Sequence, residues 1–236
     1  TNKEVRTTVD GYPIAIFHRE TASDTLEFVG KYNFNNDKST AETFGFSDGD
    51  ESWEFSNNTS DRCLFKSADF SGTDWMNDFE SRYPDDDAIN AEYEAGTRKP
   101  EKLMAVTSWV VSTKDNLEKF KNEVRNHFNL DNLIAYYLIT ELFGMVDQRA
   151  KNMFLTYFHE EGKWIFIFYD NDTCFGLNNE GLIAFGYNIE YHDKIGTLNV
   201  WNGESSVLWN NLEKCFPSEI EAMYKDIRTR GLGGVY

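Results

Sequence analysis

Residues 129–169 constrain this chain more than any other stretch. Asn129 to Met145 reads NLDNLIAYYLITELFGM, and its apolar residues cover most of a helical circumference. Asn129 or Asp131 can cap the start and Gly144 marks the end, so the segment is expected to be a buried helix. Two apolar runs follow, MFLTYF and WIFIFY, joined by HEEGK. They read as a β-hairpin, and the near-continuous apolar character of the second run predicts a strand buried on both faces.

The rest of the chain arranges itself around that unit. Residues 1–46 read as a small β lobe, with VRTTV, YPIAIFHRE and TLEFVGKYNF as strands and TASD as the turn between the last two. Residues 47–100 hold SDGDES, SNNTSD and YPDDDAIN, and are expected to be an irregular acidic insertion with WEFS and CLFKS as short strand candidates. Over 101–236 the periodicity turns helical, through Leu103, Val106, Trp109 and Val110 and then Leu117, Phe120 and Val124. After a Gly- and Asn-rich loop, SSVLWNNLEKCFPSEIEAMYKDIRTRG supplies two more helices split near Pro217. The expectation is one α+β domain of two lobes, with a cleft between the N-terminal β lobe and a helical lobe that carries the hairpin.

Charge and composition narrow the function. A net charge of −17 opposes the attraction to phosphate backbones that nucleic-acid binding needs, so no nucleic-acid partner is expected. The same charge repels nucleotide phosphates unless a divalent cation stands between, which makes any nucleotide chemistry metal-dependent. The 19 Phe, 12 Tyr and 6 Trp predict a large packed interior. Cys63, Cys174 and Cys215 are odd in number without CxxC spacing and read as free thiols. His18, His127, His159 and His192 lack zinc-ligand spacing. Asp85-Asp86-Asp87 reads as a solvated turn, lacking the grammar of a Ca²⁺ loop. The longest apolar run is far short of a membrane span, so no membrane partner is expected.

The chemistry-bearing pattern is an order: helix, Asp147, four residues, Asn152, strand, turn, strand, Asp170-Asn171-Asp172. Protein kinases place an Asp after a buried helix to accept the hydroxyl proton, an Asn five positions on to bind Mg²⁺, and a further metal-binding acid after the following hairpin. A five-residue loop over 159–163 would set Asn152 across the ladder from Asp170, at about 4.5–5.5 Å. Asp172 would share the face of Asp170 if the chain stayed extended. Singly, a D-x-D at a strand end is often a turn former and Asp147 an ordinary loop residue. Together they argue for Mg²⁺, because unpaired carboxylates beside a dry hairpin are costly.

The stretches FVGKYNFNNDKS, MVDQRAKNMFLTYF and KWIFIFYDNDTCFG resemble the CotH kinase family, atypical protein kinases known from bacterial spore coats and found in other bacterial, fungal and phage proteins. The resemblance covers most of residues 9–178, least in the acidic middle. It implies an atypical protein-kinase-like fold in which Asp147 takes the catalytic-loop role, Asn152 and Asp170 hold Mg²⁺, and Asp172 assists. It also implies ATP as donor and a Ser or Thr of a protein substrate as acceptor. The family's Arg-Gly-Asn-Ser-like motif and Lys-rich strand would fall before residue 1, so the N-terminal part of the family domain is expected to be missing. Lys31 and Lys38 then become the substitutes for the lysine that contacts ATP, against the plain reading of strand-edge gatekeepers. The same departure leaves a second expectation: a catalytically inactive structural module of a spore coat, phage virion or extracellular assembly, with coat or virion proteins as partners.

Overall fold

A computed structural model describes residues 11–35, 37–145, 147–177 and 205–232. The chain is α+β, and its described residues form a two-stranded and a four-stranded antiparallel sheet. Strands β1 (Gly11–His18) and β2 (Glu27–Asn35) pair from Gly11↔Asn35 to His18↔Glu27, with a bulge at Ile16/Phe17. Phe17, Phe28, Tyr32 and Phe34 on this hairpin stay about half exposed. The strand expected at VRTTV and the Gly- and Asn-rich loop expected over 178–204 lie outside the described residues.

Residues 47–100 are not the irregular insertion that their acids and turn formers predict. They supply β3 (Glu51–Phe55), β4 (Phe79–Tyr83) and α2 (Asp87–Glu94), while a short α1 (Ala41–Phe44) precedes them. β3 takes in most of the WEFS candidate; it is a central strand whose W-E-F alternates between two buried faces, so burial outweighs the low strand propensity of its surroundings. CLFKS is a turn, in which Phe65 takes a left-handed φ of 53°. In the Asp85–Asp87 run, Asp86 caps α2 by accepting from Ala88 N and Ile89 N.

The helical half follows the periodicity: α3 (Glu101–Ser112), α4 (Leu117–His127), α5 (Leu130–Leu142), α6 (Val207–Cys215) and α7 (Pro217–Ile227). Asn129 caps α5 through Asn132 N, and Gly144 ends it at a φ of 55°. β5 (Met153–Phe158) and β6 (Lys163–Phe168) form the expected hairpin, in a sheet ordered β4-β3-β5-β6. Trp164 and Phe166 of β6 join the main core beneath the helices. Ile165 and Ile167 join a second cluster with Phe44, Phe46, Phe154 and Phe158 on the other face. Burial on both faces is what the unbroken apolar run of β6 requires.

The hairpin register differs by one from expectation. Phe158 faces Lys163 and Met153 faces Phe168, so the loop is His159–Gly162, and the register carried onward sets Asn152 against Tyr169 rather than Asp170. Gly162 takes a left-handed φ of 64°, with its N–H and that of Glu161 on the Phe158 carbonyl. This closes the turn one residue early and draws Lys163 into the ladder.

Candidate functional site

Two loops meet at the open end of the β5–β6 hairpin. The first, Asp147 to Asn152, is a tight turn in which Lys151 N donates to the Asp147 carbonyl at 3.0 Å. The buried Arg149 anchors it to α5: its guanidinium donates to Thr140 Oγ1 at 3.0 Å and the Tyr137 carbonyl at 3.1 Å, and pairs with Glu141 at 2.6 Å. From the C-terminal side, Trp209 Nε1 donates to the Arg149 carbonyl at 2.9 Å. Asp147 is 5% exposed. Asn152 is buried at a left-handed φ of 53°, its N–H on the Phe55 carbonyl.

The second loop carries the acid pair. Asp170 leaves the strand at φ 52°, ψ 62°, and Asn171–Thr173 form a single 3₁₀ turn, so the extended chain expected between Asp170 and Asp172 is absent. Asp and Asn tolerate this left-handed region better than most residues. Phe175 N–H donates to the Phe143 carbonyl at 2.5 Å, which ties the loop's far end to the end of α5. Asp170 and Asp172 still face one space: a cleft of about 460 Å³ whose opposite wall is the open end of the β1–β2 hairpin, with Gly11, Asn33 and Asn35.

The carboxylates act on one another. Burial pushes the Asp147 carboxyl above its ordinary range, Lys151 pulls it back, and Asp172 and Asp170 push it up further. Burial also raises Asp170, with Asp172 and Glu54 adding to it against Lys151 and Lys38. Asp147, Asp170, Asp172 and Lys151 therefore form one electrostatic unit. Among the described residues no three His, Cys, Asp or Glu side chains gather closely enough to hold a metal by themselves. Mg²⁺ asks for less, since it is usually held by one or two carboxylates together with waters and substrate phosphates. Two acids opening onto one cleft fit that requirement.

The two lysines separate. Lys38 Nζ donates to Glu54 Oε2 at 3.0 Å and Tyr169 Oη at 3.2 Å, and lies 4.6 Å from the centre of the Tyr169 ring. Burial by itself would lower the Lys38 ammonium, but the bonds to Tyr169 and Glu54 outweigh it and hold it above the ordinary value. Lys31 is exposed on β2, two and four residues from the cleft-lining Asn33 and Asn35 and so on their face of the strand.

Two functional neighbours escape sequence reasoning. Glu54 pairs with Lys38 and, at 2.6 Å, with Arg82; its signal is an acid inside the apolar run W-E-F, a place where a charge needs partners. Gln148 is 0% exposed; its Nε2 donates to the Asp170 carbonyl at 2.6 Å and the Tyr169 carbonyl at 3.3 Å, joining the two loops. Its only signal is a polar residue beside Asp147.

No curated protein matches the chain. A family model described as CotH kinase protein matches residues 31–230, a span that takes in both loops, both lysines and the whole four-stranded sheet. With the match running over well more than half of its length, the chain belongs to the CotH kinase family.

Proposed function

We propose that the chain is an ATP- and Mg²⁺-dependent protein kinase of two lobes, which transfers the γ-phosphoryl group to a Ser or Thr hydroxyl of a protein. The carrying observation is that Asp170 and Asp172 open onto one cleft while the buried Asp147 lies in the neighbouring loop, which Gln148 bonds to theirs. Asp170 and Asp172, which open onto the cleft, would hold Mg²⁺ with Asn152, one register step away at the foot of β5, as a further oxygen ligand, and the ion would supply charge neutralisation to the phosphate oxygens. Asp147 accepts the proton of the acceptor hydroxyl, a role that its raised basicity suits. The acceptor oxygen bonds to the γ-phosphorus, the bond from that phosphorus to the β–γ bridging oxygen breaks, and ADP leaves with the electron pair. Lys38, bonded to Tyr169 of the cleft wall, would be the cation that meets the phosphates, with Lys31 further along the cleft-facing side of β2.

A second reading, an inactive module of a spore coat, phage virion or surface assembly, is favoured by the half-exposed aromatic side chains of the β1–β2 hairpin, since exposed apolar patches mark protein contacts. Melting with and without millimolar Mg²⁺·ATP separates the two. A ligand at 100 times its Kd adds about 2.7 kcal/mol, so the kinase raises its Tm by about 5–10 °C. Asp170→Asn loses that rise together with phosphate transfer to a Ser/Thr acceptor protein. An unchanged Tm in the folded wild type refutes the kinase reading.

A further inference from the structure

The amide of Gln148 is placed where neither hairpin nor helix can reach. β6 ends at Phe168, so the carbonyls of Tyr169 and Asp170 have left the ladder, and both accept from Gln148 Nε2. On its other side, Gln148 Oε1 accepts from Thr173 Oγ1 at 3.4 Å. The main chain of Gln148 is gripped as well, because the fully buried Tyr136 donates its hydroxyl to the Gln148 carbonyl at 2.7 Å. A buried carboxamide is costly unless its donors and acceptor are used. Here each bond of the side chain ends on the turn that carries Asp170 and Asp172, while its backbone is bonded directly to Asp147.

We infer that Gln148 is a positioning residue: it holds the Asp170–Thr173 turn at a set offset from Asp147, and so fixes the gap between the proton-accepting acid and the metal-holding acids. The inference rests on the kinase reading above for the roles of those acids. Its chemistry is specific to an amide of this length. Methionine has the length without the donors, glutamate would set a carboxylate against two carbonyl oxygens, and asparagine is one methylene short of bridging both loops.

The test compares Gln148→Met and Gln148→Asn with the wild type, the second serving if the first fails to fold. In ligand-free protein, amide hydrogen exchange over 171–176 is expected to quicken at least about tenfold, while the centres of β5 and β6 keep wild-type rates. With ATP present, the Mn²⁺ dissociation constant read by electron paramagnetic resonance rises about 10–100-fold, as for lost outer-sphere partners of metal ligands. In the transfer assay, raised Mg²⁺ restores kcat, so the defect lies in the metal concentration required. A residue that only fills the core would lower Tm without moving that requirement. Unchanged exchange over 171–176 overturns the inference, and so does faster exchange with unchanged Mn²⁺ affinity. If the wild type binds no Mn²⁺·ATP, the kinase reading fails, while the exchange measurement still decides whether Gln148 sets the turn.

Discussion

Asp147 and Asp170 both have carboxyls raised above the ordinary range, in each case first by burial and then by neighbouring acids. The folded protein therefore binds these protons more tightly than the unfolded chain does. Without a cation, the contribution of these two acids to stability is greatest below the unfolded value of about 4 and is lost as pH rises through the raised folded values. Asp170→Asn removes one charge and places a residue that tolerates the left-handed backbone better. Because the Asp170 carboxyl is only partly desolvated at the cleft wall and much of the residue stays in contact with water, the gain is small: ligand-free variant at pH 7 is expected to melt about 1–2 °C above wild type, and the difference closes as pH drops through that window. A variant that melts below wild type at pH 7 would show that the carboxylate is stabilising. The acids at 147, 170 and 172 can be read from the sequence because their spacing survives in any fold that keeps the hairpin. Glu54 and Gln148 cannot, since their partners Lys38, Arg82, Tyr169 and Asp170 come from remote segments.

At the scale of elements, the hairpin is held at its outer edge by α5. Asn132 Nδ2 donates to the Phe166 carbonyl at 3.0 Å and Phe166 N–H donates to Asn132 Oδ1 at 2.7 Å, so one side chain stands in for a missing neighbouring strand. Asn129 N–H adds a bond to the Trp164 carbonyl at 2.9 Å. Asn132→Leu keeps the branched shape of the side chain, though it is bulkier, and leaves two main-chain groups of a buried strand without partners. At about 1–3 kcal/mol for each such group, we expect a loss of about 3 kcal/mol and a Tm lower by about 6–12 °C, read by circular dichroism. A drop under 2 °C would mean that water replaces the amide, as it can at an open edge. The periodicity of α5 and β6 predicts both elements, but neither period says that a polar residue of the helix completes the sheet.

Across the whole molecule, residues distant in sequence share one structure around the loops: Lys38 meets Tyr169 across 131 positions, and Trp209 reaches Arg149 across 60. Trp209 also packs against Tyr136 at 5.7 Å and Phe166 at 5.0 Å, so α6, the loop of Asp147 and the hairpin form one block. Trp209→Phe keeps most of the ring and removes the donor to the Arg149 carbonyl, for an expected loss of about 1–3 kcal/mol and a Tm lower by about 3–9 °C. Faster exchange should concentrate at 147–152, and its absence there would detach α6 from the loop. The sequence by itself determined the strands of the N-terminal hairpin, the helices after residue 100, the capped buried helix, the doubly buried strand and the succession Asp147, Asn152, Asp170, Asp172. These rest on spacings within a few residues, which any compact fold of the chain must respect. Tertiary structure alone decided the pairing of β3 with β4 and β5 and the partners of Lys38, Glu54 and Gln148. Each of those depends on side chains brought together by packing from far along the chain, where local propensity carries no information.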